Sequence, residues 1–158
     1  MQASAQWIAD AVSGRLVGPD ACVTGTVVTD SREASAGSLY VARRGENADG
    51  HAFVHGAIER GAVAVIAERE LEEAVAQIIV EDSTRALGDL ARAHVDALRS
   101  RGTLDVIAMT GSVGKTTTKD LLLQILSEDG PTVAPKLSFN NEVGLPLTAL
   151  QAEVFPAC

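Results

Sequence analysis

Residues 110–117 read Thr110-Gly111-Ser112-Val113-Gly114-Lys115-Thr116-Thr117, between an apolar run (Leu104–Met109) and a helical pattern carrying Leu121, Leu122, Ile125 and Leu126. A glycine turn leading from a strand into a helix belongs to α/β architectures. Its glycines let the backbone curl so that successive N–H groups converge on an anion, and the helix N-terminus adds partial positive charge. Lys115 is spaced to reach the β- and γ-phosphates of a nucleotide, and the Thr116 hydroxyl to ligate Mg²⁺. The candidate ATP-binding residues are therefore Gly111, Ser112, Val113, Gly114, Lys115, Thr116 and Thr117. Lys115 and Thr116 are also the catalytic candidates, Thr116 is the metal ligand, and ATP and Mg²⁺ are the expected cofactors. The longer pattern GxxxxGK[ST] would need a glycine where this chain has Met109, while the shorter TGxxGKT core is intact. The competing reading is a tight strand-to-helix turn with an exposed lysine.

The rest of the chain alternates short strands and helices. Ser4 is placed to cap a helix through Ala11, ended by Gly14, with Trp7 a core anchor. Strands are expected at Val23–Thr29, Ser38–Ala42, Ala62–Ala67 and Gln77–Val80, with a polar loop over Gly45–Gly50 and a helix over Ala52–Arg60. Asp82 or Ser83 begins the clearest helix, where Leu87, Leu90, Ala91, Val95 and Leu98 form one stripe. Strands at Leu104–Met109 and Thr132–Ala134 and a short helix at Leu145–Leu150 complete the pattern. The expected fold is α/β with two units. Residues 1–82 form a small N-terminal α/β domain, and residues 83–158 the beginning of a P-loop α/β domain. Only two strands follow the boundary, whereas a doubly wound sheet usually has about five, so the second unit reads as a truncated fragment.

Aromatic residues are 3% of the 158-residue chain, so the core must come from Ala, Val, Leu and Ile. A formal net charge of -8 with no basic run argues against nucleic acid as a partner. No apolar run approaches the ~20 residues of a membrane span, and no signal peptide is visible, so no membrane insertion and a cytoplasmic location are expected. Cys22 and Cys158 lack metal spacing and read as free thiols. His51 and His55 are four apart but lack a third ligand in sequence, which makes a metal pair a poor reading.

Two polar clusters in the first unit carry candidate chemistry. Ser31 and Arg32 follow a strand, and an Arg fork suits a diphosphate or a uracil carbonyl. The alternative is a turn with a surface ion pair between Asp30 and Arg32. Asp49 and His51 follow the glycine loop and are candidates for the nucleotide end of a substrate. The alternative there is an Asp49-Gly50 turn with His51 at the following helix start. Both readings stay open on the residues alone.

Taken in order, these segments resemble the Mur ligase family. TGSVGKTTT resembles that family's shortened phosphate loop, for which Met109 is the expected residue. Asp30-Ser31-Arg32, Gly37–Ala42 (GSLYVA), Asp49-Gly50-His51 with Phe53, and Gly61-Ala62 resemble its N-terminal domain, which holds a UDP-sugar. Ser138–Thr148 (SFNNEVGLPLT) is similar to a stretch typical of the last ligase of the series. The resemblance implies ATP-driven amide formation in peptidoglycan biosynthesis, joining D-Ala-D-Ala to UDP-MurNAc-tripeptide through an acyl phosphate. It adds Asn140 and Asn141 to Ser31, Arg32, Asp49 and His51 as candidate substrate-binding residues. It also implies a monomer of three domains, of which this chain would hold about one third and be inactive alone. The alternatives are the ligase of the preceding step and a non-catalytic UDP-sugar-binding or partner-binding module.

Overall fold

The computed structural model describes residues 1–45, 48–102, 104–135 and 141–152. The chain opens with β1 (Ala3–Ser4), α1 (Ala5–Ala11), β2 (Arg15–Val17), β3 (Cys22–Val23), β4 (Val27–Val28) and β5 (Ser38–Val41). It continues through α2 (Val54–Glu59), β6 (Ala62–Ala67), β7 (Ala76–Ile79), α3 (Ser83–Ser100), α4 (Lys115–Asp129) and α5 (Gly144–Ala149). The main sheet has the order β2-β7-β6-β5-β4, and β1 pairs with β3 in a separate two-stranded ribbon. Strands β4 to β7 are parallel, and β2 closes one edge antiparallel to β7. A mixed α/β fold with a largely parallel sheet therefore stands as expected.

Parallel strands covered on both faces need apolar residues at successive positions rather than in alternation. On one face Leu39, Val41, Ala64, Ile66, Ala76 and Ile78 pack with Ile8 of α1 and with Leu87 and Leu90 of α3. On the other, Tyr40, Ala42, Val65 and Ala67 pack with Val54 and Ala57 of α2. Gln77 is a buried polar residue in this sheet, and its amide is satisfied: Oε1 accepts from Leu71 N at 2.9 Å, and Nε2 donates to the Leu71 and Glu73 carbonyls at 2.9 Å each.

Helix starts follow their caps. The Ser4 hydroxyl accepts from Trp7 N at 3.1 Å. Asp82 accepts from Thr84 N and Arg85 N at 2.8 and 2.9 Å, which fixes the first turn of α3. The expected boundary near Asp82 coincides with this cap, and Leu87, Leu90 and Ala91 of the α3 stripe join the core of the first sheet. Helix α5 packs on α3, with Leu150 in the same core, and His94 Nε2 sits 2.7 Å from the Ala152 carbonyl.

Several expected elements differ. The strand expected over 23–29 is divided, because the Thr24 and Gly25 amides both donate to the Gly37 carbonyl at 3.1 and 2.9 Å and turn the chain from the β1 ribbon to the main sheet. The helix expected from Ala52 begins at Val54, after a 3-10 turn over Gly50–Phe53. Residues 104–109 and 132–134 carry no strand. Val106 and Ile107 are exposed, as are Leu121 and Ile125 of α4, so this apolar segment has no covering layer among the described residues. Trp7 is not a core anchor: it is 37% exposed, because α1 turns Ala5, Ile8 and Ala9 inward instead.

Leu87→Ala should cost about 2–5 kcal/mol in urea unfolding, since it opens a cavity between α3 and the sheet. Leu121→Ala, on the exposed face of α4, should change stability by about 0.5 kcal/mol or less.

Candidate functional site

Ligands of parallel α/β sheets bind beyond the carboxyl ends of the strands. Here β4 runs out into Thr29 and Asp30, β5 into Arg43, and β6 into Glu68. A cleft of about 500 Å³ lies between the first two, lined by Thr29, Asp30, Ser31, Arg32, Tyr40, Arg43 and Phe53 along with Gly45, Ala48 and Gly50.

Asp30 caps a 3-10 turn over Ser31–Glu33 by accepting from Arg32 N at 2.9 Å. It also holds the guanidinium: Arg32 Nε lies 3.0 and 3.1 Å from the two carboxylate oxygens, and a terminal nitrogen 2.6 Å from the second. The Arg32 side chain is 82% exposed. The side-chain bond from Arg32, and then its backbone N–H, lower the Asp30 pKa to about 2. Ser31 and Arg32 are thus brought together at the cleft as expected, and the Asp30–Arg32 ion pair exists as well.

Asp49 and His51 are placed differently from each other. Asp49 caps the turn over Gly50–Phe53 by accepting from His51 N at 3.0 Å, and its Oδ1 lies 2.5 Å from His51 Nδ1. The His51 side chain is fully enclosed, and Glu68 N donates to its Nε2 at 2.9 Å. Since Nε2 accepts, Nδ1 carries the proton and donates to Asp49. Both ring nitrogens are therefore occupied within the protein, and neither Asp49 nor His51 is among the residues that line the cleft. The bonds from His51, backbone first and then ring, lower the Asp49 pKa to about 2. The support extends further: Glu68 pairs with Arg44 at 3.0 Å and accepts from Ser83 Oγ at 2.9 Å. His55 is turned to solvent between Glu59 and Glu73.

Tyr40, Arg43 and Phe53 line the cleft but were not among the expected site residues. Tyr40 donates to the Gly50 carbonyl at 2.9 Å, and burial pushes its pKa up to about 12. Phe53 is 48% exposed. Arg43 follows a strand just as Arg32 does, and that shared position was the available signal.

The glycine turn of residues 111–114 leads directly into α4. Gly114 is the N-cap of α4 in the left-handed region (φ +82°), which favours glycine, and no side chain caps this helix. Thr118 N donates to Gly114 O at 2.9 Å in the first turn of the helix, and the amides of Lys115 and Thr117 enter it without i−4 acceptors. The Lys115 ammonium folds back onto the Gly111 carbonyl. Ser112 and Val113 are exposed in the turn. The loop thus has its helix but not the expected strand before it. An uncapped N-terminus, an unobstructed glycine and a lysine lying over the loop suit a polyphosphate, with the Thr116 hydroxyl the residue that would hold Mg²⁺.

Asn141 lies in the turn before α5, where its Oδ1 accepts from Gly144 N at 2.7 Å and Val143 N at 3.3 Å. Asn140 and Cys158 lie outside the described residues, and Cys22 is an exposed free thiol. Among the described residues no helix is long and apolar enough to cross a membrane.

Because the Asp30 and Asp49 pKa values are depressed in the fold, the stability they contribute is present above about pH 4 and is lost as pH falls towards 2. Asp30→Asn and Asp49→Asn should each flatten the acid limb of the stability curve, and carboxyl NMR titrations of the wild-type chain should give midpoints near 2 for both groups.

Residues 25–95 match the Mur ligase family catalytic domain, and residues 109–154 the Mur ligase middle domain. The UDP-N-acetylmuramoyl-tripeptide–D-alanyl-D-alanine ligase of Synechocystis is 42% identical over 79% of this chain, and that of Bacillus subtilis 40% over 90%. The chain spans only 27% and 32% of those relatives' lengths. MurF from Acinetobacter baumannii superposes with a TM-score of 0.85 at 35% identity, over 97% of this chain and 34% of that structure. MurF ligase from Thermotoga maritima in complex with ADP gives 0.66 at 36% identity, over 81% of this chain and 29% of that structure. Two consecutive family domains, matched in order and joined through α3, make this chain a member of the Mur ligase family.

Proposed function

We propose that this chain is the substrate-binding and phosphate-loop part of a ligase that joins D-Ala-D-Ala to UDP-MurNAc-tripeptide at the expense of ATP, in peptidoglycan biosynthesis. The observation that carries the reading is the uncapped start of α4 at Lys115, with Gly114 left-handed before it. The names of the relatives supply the substrates, and the ADP complex of one structural neighbour is consistent with a nucleotide on this loop.

In this reading a carboxylate oxygen of the tripeptide bonds to the γ-phosphorus and ADP departs, leaving an acyl phosphate. The amine of D-Ala-D-Ala then attacks the acyl carbon. An amide bond forms, inorganic phosphate leaves, and the amine gives up a proton. The residues of this chain contribute by positioning and by neutralising charge. Amides of Gly111 to Thr116 receive phosphate oxygens, and Lys115 exchanges the Gly111 carbonyl for the β- and γ-oxygens. Thr116, helped by Thr117, would hold magnesium, which would supply further neutralisation of the triphosphate. At the other site, Ser31 and the cleft around it take the nucleotide end, where Phe53 offers a flat apolar face to a base. Asp49 and His51 hold that cleft in shape.

The division into residues 1–82 for the nucleotide-sugar and 83–158 for ATP is part of this proposal, as are a monomeric state and a cytoplasmic place of action. The test is phosphate release from ATP with UDP-MurNAc-tripeptide and D-Ala-D-Ala, measured on a chain of the relatives' length. Lys115→Ala should lower the rate about a hundredfold or more, in line with the loss of a transition-state charge contact. The 158-residue chain alone should release little or none. Release at the wild-type rate in Lys115→Ala would sink the assignment.

A further inference from the structure

We infer that Arg43, not Arg32, is the cation that holds the diphosphate of the nucleotide-sugar. The inference rests on the cleft being the nucleotide-sugar site proposed above, and it concerns which side chain supplies the charge there.

Three groups lining the cleft carry formal charge: Asp30, Arg32 and Arg43. Asp30 takes the Nε and one terminal nitrogen of Arg32, so that pair is neutral overall. Arg43 is held in another way. Its Nε donates to the Thr84 hydroxyl, a neutral acceptor, at 3.0 Å. Among the described residues no carboxylate is paired with it. The positive charge of the cleft is therefore Arg43's.

The residue is also fixed in place. Gly50 N donates to the Arg43 carbonyl at 2.8 Å. A Cβ on Gly50 would stand 2.7 Å from that carbonyl oxygen and 2.8 Å from Arg43 N, so the two backbones touch as only glycine allows. Tyr40 also holds Gly50, its hydroxyl donating to the Gly50 carbonyl at 2.9 Å. With backbone and Nε both set, only the two terminal nitrogens of Arg43 remain for a ligand.

A partly buried guanidinium without a carboxylate is costly unless an anion compensates it. Its fork matches two oxygens of a phosphate, and a charge-assisted pair of this kind is stronger than a neutral hydrogen bond. Thr29 and Ser31, lining the same cleft, add hydroxyl donors suited to the remaining oxygens. The chemistry recognised is a nucleoside diphosphate, with Arg43 on the phosphates and Thr84 as its positioning residue.

Calorimetric titration of the 158-residue chain with UDP and with uridine tests this directly. The wild type should bind UDP more tightly than uridine. Arg43→Gln should weaken UDP about tenfold or more and leave uridine unchanged, while Arg32→Gln should change UDP by less than about threefold. Arg43→Lys, which keeps the charge but loses the fork, should fall between. If Arg43→Gln lacks the native far-UV circular dichroism, Thr84→Val decides: UDP should weaken several-fold with uridine unchanged. UDP binding that persists at wild-type strength in the folded Arg43 or Thr84 variant, or equal loss of UDP and uridine, overturns the role of Arg43 and leaves the nucleotide-sugar reading standing. A wild-type chain that binds neither UDP nor uridine overturns both.

Discussion

Strands β5, β6 and β7 are buried on both faces, and that constraint decides where polar chemistry can go. Leu39 and Val41, Ala64 and Ile66, and Ala76 and Ile78 fill one side, while Tyr40, Val65 and their neighbours fill the other. At about 25 cal/mol per Å² of apolar surface, this double burial is the main source of stability for a chain so poor in aromatics. It leaves no room for a ligand on either face. Function is thereby pushed to the strand ends, where the backbone leaves the sheet and side chains regain access to solvent.

At those ends the chain uses polar residues first to hold its own loops. His51 links Asp49 to the backbone of Glu68, and Glu68 in turn reaches Arg44 and Ser83. An enclosed imidazole costs stability unless both nitrogens are satisfied, and here both are. The loop after β5 is thus fastened to the loop after β6 and to the start of α3. What remains exposed to the cleft is a smaller set: the hydroxyls of Thr29 and Ser31, the Asp30–Arg32 pair, Arg43 and the ring of Phe53. Rigid support behind and few convergent groups in front is the pattern expected of a site meant to orient a flexible substrate.

The sequence made legible whatever depends on local pattern. The all-apolar stretch Ala62–Ala67, the stripe of α3 and the glycine–lysine start of α4 each appear where spacing put them, because burial period and helix capping act over a few residues. β2 was missed because three residues between Gly14 and Gly18 carry too little periodicity, and its pairing with β7 is a contact across some sixty residues. The strand expected at 104–109 did not form, since an apolar run becomes a strand only with a partner to bond. Within the site, Ser31 and Arg32 could be placed from sequence because they follow a strand. His51 could not, because whether an imidazole faces a ligand or a backbone amide is decided by Glu68, seventeen positions away.

Helix α3 joins these levels. Its Leu87, Leu90 and Leu98 are enclosed, while residues 106 and 107 beyond it are exposed. Its first turn does more than cap itself: Ser83 bonds Glu68 and Thr84 bonds Arg43, so the helix start is stitched into the cleft wall. The two family domains matched along the chain, ending at residue 95 and resuming at 109, leave only the last turn of α3 and the segment after it between them. A cut at Asp82 would strip the first sheet of part of its cover on one face and leave Arg43 without its hydroxyl partner. The helix that leads towards the glycine–lysine turn is therefore also a structural member of the cleft wall, and a displacement of α3 at its first turn would be felt at Arg43 through a single hydrogen bond.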